Sequence, residues 1–425
     1  MKKIKVKPTD KIFVSIASYR DPELLPTLKD MIEKADNPYA LRICIAWQHS
    51  SEDEWDNLDQ YKDDPRFKII DIDYKDSKGA CWARYSIQQE YANEEYYMQL
   101  DSHHRFIQSW DTECINMLEN LKSPVCEKPL LTAYIPSYNP KNDPEGRVNE
   151  PWWMTFDRFI PEGAVFFLPA VIPGWKEMTR PLPSRFLSAH FIFTIGKWCQ
   201  EVPYDPQYYF HGEEISLAVR SFTWGYDLFH PHKVIAWHEY TREGRTKQWD
   251  DDQTWGERNT ASHLRNRKLF NMDGECSCGV DFGPYGMGKE RTINDYSKFA
   301  GIRFFNRSIQ QYTLDNNFAP NPIIDNFEEY EKSFARVFKH CIDIHIGAFK
   351  ETDYEFWCVA FENADGVTIN RQDANESEVK AIMNTKDQFY KIWRTFQHID
   401  KPTRWVVWPY SKSKGWCDKI SNELP

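Results

Sequence analysis

The first hundred residues alternate between apolar segments of strand length and amphipathic segments of helix length. Residues 12–16 have the pattern of a buried strand, and apolar residues then recur at helical spacing from Leu24 to Ile32, until "DNP" ends the helix. The segments "LRICIAWQ", "FKIIDIDY" and "YYMQLD" predict three more strands, and "KGACWARYSIQQEYANEE" predicts a helix that Gly79 opens. This order favours an α/β fold with a mainly parallel sheet and helices on its faces.

The remainder of the chain predicts a longer first domain and a small second one. "HGEEISLAVRSFTWGYDLF" has one apolar stripe and predicts a helix that Gly225 ends, and "KVIAWHEY" predicts a strand. A glycine-rich loop and a helix follow at "CGVDFGPYGMGKERTINDYSKFAGI". Beyond the linker "DNNFAPNPIIDNFEEY", "YEFWCVAF" and "RWVVWPY" predict strands, and residues 376–394 predict a helix. We expect domains at residues 1–312 and 313–425, the second α+β or β-rich.

Composition narrows the classes of partner and compartment. The formal net charge of −11 argues against a nucleic-acid partner, because nothing offers a basic face to phosphates. No run reaches the roughly 18 apolar residues of a membrane span, and "MKKIKVKPTD" lacks the apolar stretch of a secretory signal. Most of the ten cysteines are isolated, and the close pair Cys276 and Cys278 has no second ligand pair for zinc nearby. We therefore expect a cytoplasmic protein with reduced thiols.

Two polar stretches, "ASYRD" and "DSHHRF", follow predicted strands directly. Ligands of parallel sheets bind beyond the carboxyl ends of the strands, so this placement favours a site. Asp101 and His103 lie two residues apart in an extended segment and point the same way, whereas His104 points elsewhere. One carboxylate and one imidazole suit Mn²⁺, Zn²⁺ or Fe²⁺ better than Ca²⁺, and His238 is the candidate third ligand. On the tripeptide alone, a surface histidine at the end of a strand is the simpler interpretation.

Three further features could belong to a site, and the first two also have a purely structural interpretation. Glu213 and Glu214 begin a helix, where they either stabilise the helix dipole or hold a substrate hydroxyl. Arg84 either forms a surface ion pair or binds a diphosphate with its guanidinium fork. The glycines of "GPYGMGKER", which ends at Arg291, could cradle a phosphate, but their spacing matches neither a Walker motif nor G-x-G-x-x-G.

Taken together and in order, these segments resemble a known family. "VSIASYRDPEL", "GACWARY", "MQLDSHHRF", "FHGEEISLAVRSFTWGYDLF", "WHEY" and "YGMGKERTINDYSKFAGI" are similar to glycosyltransferase family 60, over roughly residues 11–305. This family includes cytoplasmic N-acetylglucosaminyltransferases that modify hydroxyproline. The resemblance implies a GT-A fold, the Rossmann-like fold of nucleotide-diphospho-sugar transferases. The polypeptide N-acetylgalactosaminyltransferases, which also use Asp-x-His, are more distantly similar.

The resemblance also implies a role for each candidate residue. Mn²⁺ or Mg²⁺ is expected on Asp101, His103 and His238. The UDP-sugar donor, with UDP-GlcNAc as the first expectation, is expected to meet five residues: Ser18, Arg20, Arg84, Ser102 and Arg291. Glu213 is expected to face donor sugar and acceptor with Glu214 beside it as the second catalytic candidate, and neither is assigned as a nucleophile.

Enzymes of this kind retain the anomeric configuration, so the expected product is an α-glycoside on a protein hydroxyl (Ser, Thr or hydroxyproline) or on a glycan. Two alternatives from other classes stay open at this point. The Asp and His residues could hold a catalytic ion with an open water position, as in a metallo-hydrolase. The chain could also be an inactive protein that only binds a UDP-sugar or carbohydrate. The C-terminal domain, which the resemblance does not cover, is where acceptor or partner binding is expected.

Overall fold

The computed structural model describes residues 11–241, 243–275 and 279–424. Two compact units make up the chain, the first extending to Ala300 and including Asn316–Asn321, the second comprising Gly301–Asp315 and the residues from Pro322 onward. The Cys276 and Cys278 pair lies outside the described residues. Within the described part of the chain, no helix is long and apolar enough to cross a membrane.

The first unit contains twelve strands and eight α-helices among its described residues. The strands are β1 (Ile12–Tyr19), β2 (Leu41–His49), β3 (Phe67–Asp73), β4 (Tyr96–Asp101), β5 (His104–Phe106), β6 (Lys128–Thr132), β7 (Trp152–Phe159), β8 (Val165–Val171), β9 (Leu182–Pro183), β10 (Phe191–Ile195), β11 (Tyr226–His230) and β12 (Ala236–His238). The helices are α1 (Leu24–Lys34), α2 (Ala80–Gln88), α3 (Trp110–Leu121), α4 (Trp198–Glu201), α5 (Glu213–Thr223), α6 (Gln248–Asp251), α7 (Trp255–Leu269) and α8 (Ile293–Ala300).

The central sheet of this unit has the strand order β3-β2-β1-β4-β10-β6-β11-β9. β1 pairs in parallel with β2 and with β4, and β2 pairs in parallel with β3. Only β10 and the short β9 run antiparallel to their neighbours in this sheet. The parallel part therefore brings the carboxyl ends of β1, β2 and β4 to one edge, and the α/β class predicted from the sequence is confirmed.

Helices cover both faces of this sheet because its strands are apolar on both sides. Val14 and Ile16 of β1 pack on one face with Leu28 of α1 and with α3. Phe13 packs on the other face in the cluster that includes Ile87 of α2 and residues of α5. Each such side chain, fully buried, contributes about 2 kcal/mol, which holds the strand ends and the starts of α2 and α5 in fixed positions.

The second unit is β-rich, as expected. Its strands are β13 (Ile302–Arg303), β14 (Ser308–Gln310), β15 (Phe334–His345), β16 (Tyr354–Glu362), β17 (Thr368–Arg371), β18 (Ala374–Asn375), β19 (Phe389–His398), β20 (Arg404–Ser411), β21 (Gly415–Trp416) and β22 (Ile420–Glu423), and its helices are α9 (Gln311–Leu314), α10 (Phe327–Lys332) and α11 (Glu376–Met383). One sheet has the order β13-β14-β15-β19, and the other β17-β16-β20-β21, with β18 on β16 and β22 on β20.

The helix predicted over residues 376–394 is wrong in its second half. α11 ends at Met383, and β19 begins at Phe389 after a polar segment, "NTKDQ". From Tyr390 to Phe396 the side chains alternate between the core and solvent, and the buried set includes Ile392 and Phe396. This is a period of two, which pairs β19 with β15 instead of continuing the helix.

Candidate active site

Asp101, His103 and His238 converge at the carboxyl edge of the central sheet. Asp101 ends β4, and His238 ends β12, which pairs antiparallel with β5 just beyond β4. The Oδ2 of Asp101 lies 3.7 Å from Nε2 of His103 and 3.3 Å from Nε2 of His238. One ligand atom from each residue lies within 4.8 Å of the others, which is the spacing of a metal-ligand set.

The protonation states of Asp101 and His238 suit a divalent cation. Burial alone would raise the pKa of Asp101, but the hydrogen bond with His238 and the charge of Arg84 hold that pKa well below its usual value. Burial and the neighbouring His190 lower the pKa of His238, which keeps its imidazole neutral. A carboxylate and neutral imidazole nitrogens are the forms that bind metals. The donor set is typical of Mn²⁺, Zn²⁺ or Fe²⁺, so the residues present fit such an ion.

A second carboxylate fixes the orientation of His103. The Oδ2 of Asp21 lies 2.7 Å from Nδ1 of His103 and accepts a hydrogen bond of 2.6 Å from the Ser102 hydroxyl. Arg245 also approaches Asp21 at 3.0 Å and contacts the same ring nitrogen, while its other terminal nitrogen lies 2.8 Å from Glu239. Burial would raise the pKa of Asp21, and His103 and Arg245 together lower it, so the ring is held by a charged carboxylate.

Arg84 connects α2 to this cluster. Its terminal N–H donates to Oδ1 of Asp101 over 2.6 Å, and its guanidinium carbon lies over the Tyr204 ring, 5.6 Å from the ring centre. The side chain is almost completely buried, and its Nε has no hydrogen-bond partner among the described residues. Arg84 is therefore an internal cation beside the ligand set, and the surface ion pair considered from the sequence is excluded.

A cleft opens on one side of Asp101, with a volume of about 180 Å³. We call it the first cleft. Its walls come from the ends of β1 and β2, the start of α2, and the loop and helix before α7. It is lined by Ala17, Tyr19, Asp21, Gln48, Gly79, Ala80, Arg84, Asp101, Ser102, His103, Tyr209, Phe210, His238, Arg245, Thr246, Lys247, Gln248 and Trp249.

A second cleft of about 340 Å³ opens on the other side of Asp101. Its lining includes the glutamates that begin α5, an aromatic wall from β8, and the rings of Tyr134, His190 and Tyr240. Four residues line both clefts: Arg84, Asp101, Phe210 and His238. The metal-ligand set thus lies at the junction of two adjoining spaces, each large enough to hold part of a substrate.

Glu213 and Glu214 are both in the second cleft, but their environments differ. Each carboxylate oxygen of Glu214 accepts one hydrogen bond of 2.9 Å, from the backbone N–H of Ala189 and from the Tyr134 hydroxyl. No other described residue donates to Glu213, which leaves its carboxyl directed at the cleft. Burial raises the pKa of both groups above the usual value, and the charge of Glu214 raises that of Glu213 further.

Three of the residues predicted to meet the donor lie elsewhere. The Ser18 hydroxyl is fully buried within the sheet and lines neither cleft. Arg20 has a positive φ of 44°. Its guanidinium forms ion pairs with Asp53, at 2.7 Å, and with Asp251, at 3.1 Å. Arg291 pairs with Asp227 at 2.8 Å, at the start of β11. The first cleft instead contains Ser102 and Arg84 from the predicted set.

His104 is separated from the ligand set, in line with its predicted direction. Its Nδ1 lies 3.0 Å from the backbone oxygen of Asp101, and its ring packs 5.0 Å from that of His238. Sequence reasoning missed Asp21, although it stands in the quoted "ASYRD", and it missed Arg245. The Arg245 segment, "TREGR", has no periodicity that could place it over the cleft, so its contribution is visible only in three dimensions.

Comparisons with known proteins identify the family of the chain. A model of the family described as Glycosyltransferase (GlcNAc) matches residues 11–66 and 56–306, which include every residue of both clefts. No curated protein matches the chain.

Three solved structures are similar at low identity. GalNAc-T7 with UDP, GalNAc and Mn²⁺ is 14% identical, with 68% of this chain and 54% of that chain covered and a TM-score of 0.45. TarS of S. aureus is 11% identical, with 97% and 77% covered and a TM-score of 0.38. The mannosyltransferase PcManGT from Pyrobaculum calidifontis, in complex with GDP-Man and Mn²⁺, is 11% identical, with 62% and 66% covered and a TM-score of 0.37. The chain spans about half the length of the GalNAc-T7 chain.

Proposed function

The chain belongs to the Glycosyltransferase (GlcNAc) family, and on this premise we propose that it transfers GlcNAc from UDP-GlcNAc to a hydroxyl acceptor with the help of a divalent metal. The observation that carries the proposal is the pair of clefts that meet at Asp101 and His238. A transferase needs two adjoining spaces with the reacting bond between them. We propose retention of configuration, which makes the product an α-glycoside.

Asp101, His103 and His238 would hold Mn²⁺ or Mg²⁺ at this junction. A bound divalent cation would neutralise the charge that develops on the departing diphosphate. Asp21 keeps the His103 ring oriented through its Nδ1, and Arg84 keeps Asp101 oriented through Oδ1. These supporting contacts matter because ligand direction sets metal affinity as much as ligand identity does.

The first cleft is the proposed site of the nucleotide. Arg84 and Arg245 supply positive charge near the ligand set, and Ser102 supplies a hydroxyl. Tyr209 and Trp249 provide aromatic surface against which a base or ribose can pack. Arg20 supports this cleft indirectly, because its pairing with Asp251 anchors α6, the helix that carries Trp249. Ser18 and Arg291 line neither cleft, so the proposed nucleotide site rests on Arg84, Arg245 and Ser102.

The second cleft is the proposed site of the donor sugar and the acceptor. Glu214 is held in place by Tyr134 and the Ala189 backbone, which positions Glu213 beside it. A carboxyl group with a raised pKa can donate a hydrogen bond to a sugar or acceptor hydroxyl, and accept one when ionised. Neither glutamate is assigned as a nucleophile. The acceptor class is a hydroxyl on a protein or a glycan, in the cytoplasm, and residues 313–425 are the proposed accessory part for acceptor or partner binding.

UDP release is the direct test, measured from a set of UDP-sugars with Mn²⁺, with and without candidate acceptors. We expect release to be fastest from UDP-GlcNAc and to stop when EDTA is added. Absence of UDP release from every UDP-sugar contradicts the proposal. Hydrolysis of simple phosphoesters without any nucleotide would identify a metallo-hydrolase, and tight UDP binding without turnover would identify a binding protein.

A further inference from the structure

An exposed group of four aromatic side chains lies on the outer face of the second unit. β16 and β20 pair antiparallel with Phe356 opposite Tyr410, and β21 places Trp416 opposite Tyr410 as well. Trp408 precedes Tyr410 by two residues on β20, so its side chain points to the same face. We call Phe356, Trp408, Tyr410 and Trp416 the aromatic platform.

The rings of the platform form one connected surface. Phe356 and Tyr410 stack with their centres 5.3 Å apart and an interplanar angle of 15°. Trp416 stands nearly perpendicular to both, and its centre lies 4.3 Å from that of Trp408. The indole N–H of Trp408 donates to the backbone oxygen of Cys417 over 2.9 Å, which fixes the orientation of that ring.

The platform is separate from the core of its own unit. The alternate residues of the same strands, Trp357, Val359 and Val407, form that core and are almost completely buried. Trp408 and Trp416, by contrast, are 37% and 45% exposed. Large aromatic rings gain stability from burial, so a fold that keeps two tryptophans at its surface gains little from them. Their arrangement therefore points to a ligand.

We propose that the aromatic platform binds the pyranose rings of a carbohydrate chain. The faces of aromatic rings carry negative charge density, and the C–H groups on the flat side of a pyranose carry partial positive charge, so the two stack well. Within the described residues the Tyr410 hydroxyl makes no hydrogen bond, and it can pair with a sugar hydroxyl at the edge of the platform.

The size of the platform favours a glycan over a protein partner. Four partly exposed aromatic side chains offer on the order of 300 Å² of surface. A stable protein interface buries about 800 Å² on each side, whereas two or three sugar rings cover an area of the platform's size.

The charges around the platform argue against a nucleic acid, whose bases also stack on aromatic rings. Binding to single strands requires cations for the phosphates. The lysines of the β20–β21 turn are already paired: Lys412 lies 2.8 Å from Glu376, and Lys414 lies 3.0 Å from Glu351. Neither lysine of this turn is thus left to neutralise a phosphate beside the platform, which suits a neutral sugar chain better than a nucleic acid.

Affinity electrophoresis of the full chain tests this proposal, with xylan, mannan, galactan, a β-glucan or glycol chitin cast in the gel. We expect at least one polysaccharide to retard the protein. Trp408→Ala and Trp416→Ala should each weaken that retardation about tenfold, the typical loss when one stacking ring is removed. Trp393→Ala is the matched control, because Trp393 is 58% exposed on β19 of the same unit and lies outside the platform.

Three results would each overturn the proposal. The first is that none of the five polysaccharides retards the protein. The second is that both platform variants are retarded as strongly as wild type, and the third is that Trp393→Ala loses retardation as much as the platform variants do. Thermal unfolding of each variant verifies that it is folded. UDP release without added acceptor should be unchanged in the platform variants. Gel retardation therefore tests glycan binding by the platform, and UDP release tests the proposed transfer independently.

Discussion

The two ends of α5 differ in what surrounds them. The N-terminal end, at Glu213, is preceded by a glycine, carries two carboxylates and lines the second cleft. The C-terminal end, at Thr223, meets the glycine-rich segment that ends at Arg291, and it lines neither cleft. α5 has 11 residues, so its ends are roughly 15 Å apart. Only the first end faces the carboxyl edge of the sheet.

The glycine-rich segment has a structural explanation at its end of α5. The backbone N–H groups of Glu290 and Arg291 donate to the oxygen of Thr223, which satisfies a carbonyl at the end of the helix. A Cβ added to Gly288 would lie 2.5 Å from the Thr223 backbone, so only glycine permits this approach. The glycine-rich segment, which resembles a phosphate-binding loop in sequence, therefore caps the C-terminal end of α5. The two ends of α5 differ in that only the N-terminal end lies at the carboxyl edge of the sheet.

Among the substitutions that test this comparison, we expect the largest loss of activity at the metal-ligand set. Asp101→Asn removes a charged ligand, and we expect UDP release from UDP-GlcNAc to fall by about 1000-fold, since charge stabilisation by the metal supplies several kcal/mol. The measurement is steady-state UDP release at saturating Mn²⁺. Asp227→Asn, which removes the partner of Arg291 at the other end of α5, is the control and should keep activity within about twofold of wild type. Equal losses of UDP release in Asp101→Asn and Asp227→Asn would contradict the assignment of the active site to the metal-ligand set and not to the C-terminal end of α5.

A buried arginine near each end of α5 gives the second comparison. Arg84→Lys loses the donor to Asp101 and should lower kcat/KM about 10- to 100-fold, because supporting contacts to metal ligands have effects of this size. Arg220→Lys lies in the last turns of α5, where Arg220 donates 2.8 Å to the backbone of Pro203. We expect Arg220→Lys to lower the thermal midpoint while kcat/KM of the folded protein stays unchanged. A larger loss of kcat/KM in Arg220→Lys than in Arg84→Lys would mean that Arg220, and not Arg84, supports the active site.

The pH dependence of stability reports on the glutamates at the N-terminal end. Burial raises the pKa of Glu213 from 4.5 to about 8, so the folded state binds more protons than the unfolded state between these values. Stability from this group is present at low pH and is lost as pH rises through that window. In Glu213→Gln the free energy of unfolding should decline less steeply as pH rises, and near pH 8 it should exceed that of wild type by on the order of 1 kcal/mol.

Urea unfolding midpoints across that pH range measure this effect. Glu328→Gln is the control, because Glu328 lies in the first turn of α10 and is exposed. We expect the Glu328→Gln curve to run parallel to wild type. A Glu213→Gln curve parallel to wild type as well would mean that the carboxyl is not held protonated in the folded state.

The smallest expected effect is at the C-terminal end of α5. Arg291→Ala removes an ion pair with Asp227 and a guanidinium contact over the Phe222 ring, at 4.6 Å. We expect the free energy of unfolding to fall by about 1 kcal/mol. The KM for UDP-GlcNAc should stay within about twofold of wild type. A tenfold rise in KM would support the donor contact that the family resemblance implies for Arg291.

Much of the fold was predictable because its signals are local. β4 ends at Asp101 and α2 begins after Gly79, as the apolar runs and the glycine predicted. The failure over residues 376–394 has a physical cause: the apolar residues of β19 also fit a helical repeat over short distances, and pairing with β15 decided between the two. Such long-range pairing is not encoded in one segment.

The candidate site was predictable where the spacing of residues along one extended segment sets the direction of their side chains. Asp101 and His103 share a side because they lie two residues apart, and the structure brings His238 to them through the pairing of β12 with β5. Arg245 and Asp21 come from loops, whose course over the cleft depends on tertiary contacts. Arg291 lines neither cleft, which the sequence could not show, because order along the chain does not tell which end of a helix a following loop returns to. The metal and donor roles stay predictions until binding is measured.

Calorimetric titration of UDP into the wild-type protein and the Asp101→Asn variant, each with and without Mn²⁺, tests the central claim most directly. The claim is that Asp101, His103 and His238 couple a divalent cation to a nucleotide diphosphate in the first cleft. We predict that Mn²⁺ tightens UDP binding to the wild type by at least about tenfold and has no such effect on the variant. Equal UDP affinity with and without Mn²⁺ in the wild type, or an undiminished Mn²⁺ effect in Asp101→Asn, would contradict it.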